Sequence, residues 1–224
     1  MTLQVLDDMI QGTDEWHDQR RGIVTASVVG RLITPSTIKP AHNPESRSLT
    51  VQLAAERITG WTDPTYVSDD MLRGIEDEPR AVDLYSEHYA PVTTAGFMVR
   101  DDWGFRIGYS PDGLVGEDGL IEVKSRRPKK HLQTIVADEV PPENMAQLQC
   151  GLLVSGCAWI DYLSYCGGMP LWHKRIEPDS KWQAAIVAAV AEFEKAVGVM
   201  QATYEARTLG LPMTERIDLD EMVI

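Results

Sequence analysis

The sequence predicts an α/β (mixed α+β) fold, a central mixed β-sheet flanked by helices. Three observations predict it. Helical patterns dominate residues 13–88, then short strand-like runs take over between 97 and 125. Helix and strand signals alternate after that. The last of them is the clearest: Trp182, Ile186, Val190, Phe193, Val197, Met200 and Tyr204 recur at steps of three or four, one apolar face of a long helix.

The elements follow in order. Thr13 is placed to cap a short helix that begins at Asp14. Thr25-Ala-Ser27 opens a second, running to about Ile33. Thr34 to Arg47 carries three prolines and reads as a mobile loop. Leu49 to Thr59 is a helix stopped by Gly60. Asp69 to His88 is another, interrupted by Gly74 and Pro79. Phe97 to Arg100 and Phe105 to Tyr109 read as strands, and Ser110-Pro-Asp112-Gly113 as a turn. Leu114-Val115 and Leu120 to Ser125 form a hairpin around Asp118-Gly119. Pro142 to Ser155 is a helix with proline in its first turn and Gly156 after its end. Ala158 to Cys166 and Leu171 to Glu177 are strands. Lys181 to Leu209 is the long helix, ended by Gly210 and Pro212.

The 224 residues suit one domain, 1–224. A chain of this size buries roughly 70% of its unfolded surface and needs no disulfide staples. Its 21 Lys+Arg against 34 Asp+Glu leave a formal charge of −13. That excludes holding nucleic acid by bulk positive charge, though not by basic groups confined to a groove. Cys150, Cys157 and Cys166 sit in apolar surroundings without a C-x-x-C pair, so they read as thiols in a reducing compartment. The N-terminus lacks a signal-peptide pattern, and no apolar run approaches about 18 residues. The expected compartment is the cytoplasm, with no membrane span.

The chemistry concentrates in Ser110-Pro-Asp112-Gly113 and Leu120-Ile-Glu122-Val-Lys124-Ser125. Side chains alternate along a strand, so Glu122 and Lys124 share a face. A turn that brings Asp112 beside Glu122 makes a hard-oxygen site of two carboxylates and a backbone carbonyl, suited to Mg²⁺ or Mn²⁺. The neighbouring Lys124 ammonium can hold a phosphate oxygen or orient a water. Phosphodiester hydrolysis needs that set. An E-x-K pair alone is commonly a solvated charge pair, so the pattern gains meaning from its neighbours.

Those neighbours bring a resemblance into view. Ser110-Pro-Asp112-Gly113 with Leu120-Ile-Glu122-Val-Lys124 resembles the P-D…(D/E)-x-K nuclease signature. Trp16-His-Asp-Gln-Arg20-Arg-Gly-Ile-Val-Thr25-Ala-Ser27 resembles the W-x-x-x-R-x-G-x-x-T-A-S segment of the phage lambda exonuclease, or YqaJ-type viral recombinase, family. Arg73-Gly74-Ile-Glu-Asp-Glu78-Pro79-Arg-Ala81 resembles its G-x-x-x-E-x-x-A helix, and Met145-Ala-Gln147-Leu-Gln149 its Q-x-Q helix. The likeness runs from about residue 11 to about residue 165.

The resemblance implies a restriction-endonuclease-like core and a Mg²⁺-dependent 5′→3′ exonuclease acting on double-stranded DNA. It implies that Asp112, Glu122 and the Val123 carbonyl bind metal, with Glu78 helping to hold a second ion. Lys124 and Gln147 then orient the water and the scissile phosphate, and Gln149 supports them or is structural. Arg20 and Ser27, helped by Thr25 and Ser110, grip the 5′-terminal phosphate. A homotrimeric ring and a single-strand annealing partner in phage recombination are implied as well.

Four further points stay open on the residues alone. Arg126, Arg127, Lys129 and Lys130 follow the catalytic strand and are the best candidates for DNA-backbone contacts. Trp16 is equally a core anchor. Asn144 stands where the family commonly has tyrosine, and the tail Met213 to Ile224 has no match. A structure-specific or restriction-type endonuclease with the same core is the alternative enzyme. An acidic DNA-mimic binding protein is the alternative from another class; it would spread carboxylates over its surface and need no D…E-x-K cluster.

Overall fold

The computed structural model describes residues 3–6, 9, 12–64 and 67–216. The helices are α1 (Asp14–Arg20), α2 (Ala26–Val29), α3 (Pro44–Thr59), α4 (Asp69–His88), α5 (Pro128–Ala137), α6 (Pro142–Ser155) and α7 (Ser180–Thr208). The strands are β1 (Leu3–Leu6), β2 (Val24–Thr25), β3 (Ile33–Thr34), β4 (Lys39–Pro40), β5 (Val92–Thr93) and β6 (Phe97–Arg100). They continue as β7 (Ile107–Tyr109), β8 (Gly113–Val115), β9 (Gly119–Ser125), β10 (Trp159–Tyr165) and β11 (Trp172–Ile176).

The mixed α+β class is as predicted, but the strands divide into two mixed sheets rather than one. One runs β1-β6-β7-β2 and the other β11-β10-β9-β8-β5. In the second, β9 lies parallel to β10, placing Glu122 beside Tyr162 and Lys124 beside Ser164. The chain passes from β7 in one sheet to β8 in the other through Ser110-Pro-Asp112. The turn that carries the first carboxylate is therefore the seam between the sheets.

Three local readings change. The proline-rich stretch is not one long loop: β3 and β4 pair as a tight ribbon. α3 then starts at Pro44, behind a reciprocal Asn43–Ser46 capping box. α4 is unbroken despite Gly74 and Pro79. Proline removes one bond to the carbonyl four residues back, which belongs to Ile75. Ile75 is exposed, so water can satisfy it. Finally, Pro128 opens helix α5 at its first position, an element absent from the sequence reading.

α6 is the central post. Leu148, Cys150, Leu152 and Val154 are at most 1% exposed, because this helix packs on α2, α7 and both sheets. The α7 stripe is core from Trp182 to Val197, then emerges: Tyr204 is exposed. Cys150 and Cys166 are buried and Cys157 half-buried, all unpaired, and burial pushes the Cys150 thiol up. No helix among the described residues is long and apolar enough to cross a membrane. The unmatched tail lies partly outside the described residues, at 217–224. Within them, Arg216 lies 4.9 Å over the Trp61 ring.

Gly151 sets how closely α6 can approach β7. A Cβ there would meet Tyr109 Cζ at 2.8 Å, and Tyr109 is 1% exposed with nowhere to retreat. Gly151→Ala should therefore destabilise the protein by about 1–3 kcal/mol. Denaturant unfolding measures it; an unchanged midpoint would mean that α6 and β7 shift freely.

Candidate active site

The seam aims Asp112 at β9, where its Oδ2 accepts a 2.6 Å hydrogen bond from the Val123 backbone N–H. Glu122 points into the same cleft and is 2% exposed. Lys124 Nζ donates to its Oε1 at 2.7 Å, and Gln147 Nε2, from α6, donates to the same oxygen. The Tyr109 hydroxyl reaches Oε2 at 3.4 Å. Glu78 enters from α4 and completes the acidic side of a cleft of about 210 Å³.

Like charge and burial set the electrostatics. Burial first, then Glu122 and Glu78, push the Asp112 carboxyl well above the usual carboxylate range. Burial and then Glu122 raise Glu78 as well. Burial alone would lower Lys124, but Glu122 and Asp112 outweigh it and hold the ammonium up. Burial and Glu122 push the Tyr109 hydroxyl far up, so it stays a neutral donor. Three carboxylates thus face one ammonium, an arrangement short of positive charge.

As the side chains stand, no three acidic, His or Cys groups among the described residues gather around one point closely enough to ligate an ion. Glu122 Oε1 and Asp112 Oδ2 are occupied by donors. A donor set of Asp112, Glu122 and the Val123 carbonyl still fits a hard divalent cation, because it is all oxygen and carries excess negative charge.

The same cleft holds a second, opposite cluster. Arg20 lies at the end of α1, and its guanidinium donates to Ser110 Oγ at 3.3 Å, Thr25 Oγ1 at 3.4 Å and Ser27 Oγ at 3.2 Å. Thr25 and Ser27 are themselves 3.0 Å apart. The guanidinium sits 3.9 Å over the Trp16 ring, and Trp16 Nε1 donates to Ser110 at 3.0 Å. Among the described residues Arg20 has no acidic partner. Burial lowers its pKa to about 10, so it remains charged at neutral pH.

The structure thus brings Asp112, Glu122, Val123, Lys124, Glu78 and Gln147 together with Arg20, Ser27, Thr25 and Ser110 in one cleft. Trp16 and Tyr109 line it too. Trp16 both packs beside Ile23, Phe97 and Val99 and serves the pocket; its spacing of four from Arg20 on a helix was the available signal. Gln149 is structural. It is fully buried, donates to the Glu177 carbonyl at 2.8 Å and accepts from the Asp179 N–H at 2.8 Å. The basic run divides: Arg127 is paired with Asp70, Lys130 with Glu143, and Lys129 is exposed. Arg126 folds inward and donates to Asn144 Oδ1 at 2.7 Å.

The fold is that of a nuclease. The chain belongs to the YqaJ-like viral recombinase domain family, whose model matches residues 15–158. It is similar to an alkaline exonuclease, LHK-Exo, from Laribacter hongkongensis, at 30% identity. That match has a TM-score of 0.79 and covers 89% of this chain and 100% of that one. A second structure of LHK-Exo, in complex with dAMP, matches equally. A phage-related exonuclease from Haemophilus somnus 129PT shares the fold: 13% identity, TM-score 0.64, 81% of this chain and 96% of that chain. No curated protein matches.

The raised Asp112 carboxyl has a stability consequence. In the folded chain it keeps its proton to higher pH than in the unfolded chain. The folded state then binds more protons across the window from the ordinary carboxylate value upward, and stability falls as pH rises through it. Asp112→Asn removes that loss while keeping an acceptor for Val123. In EDTA, the variant should melt higher than wild type at neutral pH, and the gap should close in acid. Thermal melts across pH check this; equal melting at every pH would mean that the carboxylates do not repel one another.

Proposed function

We propose that this nuclease is a Mg²⁺-dependent 5′→3′ exonuclease. It degrades one strand of linear double-stranded DNA from 5′-phosphorylated ends and leaves a 3′ overhang for strand annealing. One observation carries the reading: Arg20, a half-buried cation with hydroxyl partners and no acidic partner among the described residues, lies in the same cleft as the carboxylate–lysine cluster. A half-buried guanidinium oriented by hydroxyls is suited to a ligand anion. A terminal phosphate seated there leaves the next phosphodiester over Asp112, Glu122 and Lys124. The likeness to an alkaline exonuclease, one structure of which holds dAMP, supports the same reading.

Asp112, Glu122 and the Val123 carbonyl would hold Mg²⁺, with Mn²⁺ able to substitute, and Glu78 would support a second ion. Bound there, the metal supplies charge neutralisation and leaving-group stabilisation. The chain's own groups do the positioning. Lys124 and Gln147 both converge on Glu122, so each is aimed at the spot where water and scissile phosphate meet. Tyr109 fixes the other Glu122 oxygen. Trp16 holds Arg20 flat and anchors Ser110, which ties end recognition to the turn bearing Asp112.

The larger assembly completes the proposal. The chain is one nuclease domain in the cytoplasm. Three copies close a ring around DNA, and a single-strand annealing protein takes the 3′ strand. Arg127, Lys129 and Lys130 lie on α5 or at its start, outside the cleft, where departing DNA would pass.

Linear duplexes with and without a 5′-phosphate, incubated with Mg²⁺ or with EDTA, test this directly. Mononucleotides should appear from the phosphorylated duplex with Mg²⁺ alone; cleavage of circular DNA would indicate an endonuclease instead. Asp112→Ala, Glu122→Ala and Lys124→Ala should each abolish hydrolysis, and near-normal turnover in Lys124→Ala would refute the E-x-K assignment. Arg20→Ala should chiefly erase the preference for phosphorylated over hydroxyl ends, read as the ratio of initial rates. Because the acidic cluster must be ionised, rate should climb with pH through the raised carboxyl values, and a maximum in the acid range would count against the mechanism.

A further inference from the structure

Arg126 has an unusual setting for a surface-run arginine. Its backbone N–H donates to the Tyr165 carbonyl at 2.8 Å, which extends the β9–β10 ladder by one residue. By strand alternation Glu122, Lys124 and Arg126 then project to one face. The side chain is half-buried. Its Nη2 donates to Asn144 Oδ1 at 2.7 Å and to the Tyr162 hydroxyl at 3.1 Å, and its Nε is buried with no partner. Among the described residues it forms no ion pair, although its charge helps hold the Glu143 carboxyl down, whereas the adjacent Arg127 and nearby Lys130 are both ion-paired, Lys130 with that same Glu143.

Asn144 and Tyr162 therefore fix the guanidinium without neutralising it. That is the property shared with Arg20, whose partners are three hydroxyls. The two cations lie on opposite sides of the acidic cluster. α6 shows the order: Gly151 abuts Tyr109, Gln147 meets Glu122, and Asn144 meets Arg126. These are successive turns of one helix. Tyr109 leads directly into Ser110, which accepts from Arg20. Arg20, Lys124 and Arg126 thus come in sequence along the cleft and beyond it.

We infer that Arg126 grips the phosphate one nucleotide beyond the scissile one, and that Asn144 and Tyr162 are positioning residues for it. The inference rests on the exonuclease reading: terminal phosphate at Arg20, scissile phosphate at Lys124, third phosphate at Arg126. It also gives Asn144 a role. A carboxylate at that position would cancel the guanidinium, and an apolar residue would release it. The strand is then held on both sides of the bond to be cut, which keeps it in register after each nucleotide leaves.

The test replaces single phosphates by uncharged methylphosphonates, counted from the 5′-terminal phosphate, and measures equilibrium binding in EDTA. Wild type should lose roughly tenfold in affinity when the third phosphate is neutralised, the size of one charge-assisted hydrogen bond. Arg126→Gln should reduce that penalty to within about twofold, leaving little more than the background of an uncontacted phosphate. Arg126→Lys should keep most of it, and Asn144→Asp should lose it as Arg126→Gln does. Melting curves establish that each variant is folded. The inference is overturned if the third-phosphate penalty is the same in wild type and Arg126→Gln. It is overturned equally if neutralising that phosphate costs wild type no more than neutralising an interior one, a comparison that needs no variant. Mononucleotide release from the unmodified duplex with Mg²⁺ is scored separately. Its absence would remove the exonuclease reading, while the binding measurements still decide whether Arg126 contacts a phosphate.

Discussion

Glu122 is 2% exposed, and a carboxylate taken out of water costs several kcal/mol unless donors replace its hydration. The site is organised around meeting that cost. Lys124 comes from the same strand, Gln147 from α6 and Tyr109 from the other sheet, so three separate elements must be in place before Glu122 is satisfied. Each constrains its own surroundings. Gln147 fixes the rotation of α6, Tyr109 requires glycine at 151 for its ring, and the approach of the two sheets requires the short turn through Ser110. The geometry of the cleft and the packing of the two sheets are consequently the same problem.

Bringing Glu78 toward two other carboxylates works against that arrangement, and α4 is clasped at two points to hold it. Near Glu78, Ser125 Oγ donates to the buried Asp77 at 2.6 Å and accepts from Arg73 Nε at 2.9 Å. Ser125 follows Lys124 directly, so this clasp ties α4 to β9 itself. Two turns further on, the Tyr85 hydroxyl donates to fully buried Asp161 at 2.6 Å, and Arg175 grips the same carboxylate with two nitrogens. Glu78, Ala81 and Tyr85 share one helical face. The repulsion at one end of that face is offset by bonds along its length.

Much of this was legible in the sequence, and the exceptions have common causes. The turn at Asp112, the hairpin bearing Glu122 and Lys124, α6 and α7 were readable because each depends on local chemistry: a D-G turn, Pro at a helix start, an apolar stripe. The division into two sheets was not, since pairing of β1 with β6, or of β2 with β7, joins residues far apart in the chain. α4 reads as interrupted because Pro79 is judged locally, while tertiary bonds from Asp77 and Tyr85 hold the helix together. Trp16 was ambiguous for a physical reason: one face of its ring packs and its N–H serves the pocket. The inward turn of Arg126 leaves no trace in SRRPKK, because its partners lie 18 and 36 residues away.

The charge of −13 becomes intelligible from where cations are left unpaired. Arg31, Arg57, Arg73, Arg80, Arg100, Arg127 and Arg175 all have carboxylate partners. Their fields are locally cancelled and offer little to a polyanion. Arg20 and Arg126 are instead hydrogen-bonded to neutral oxygens, which orient a guanidinium without pairing its charge. An acidic chain built in this way does not compete with itself for the phosphate backbone. On the proposed function, Arg20 and Arg126 are where attraction for a strand end would concentrate, with the exposed Lys129 outside the cleft. On that reading, low overall basicity is compatible with binding DNA, because the cations that matter are held by neutral partners.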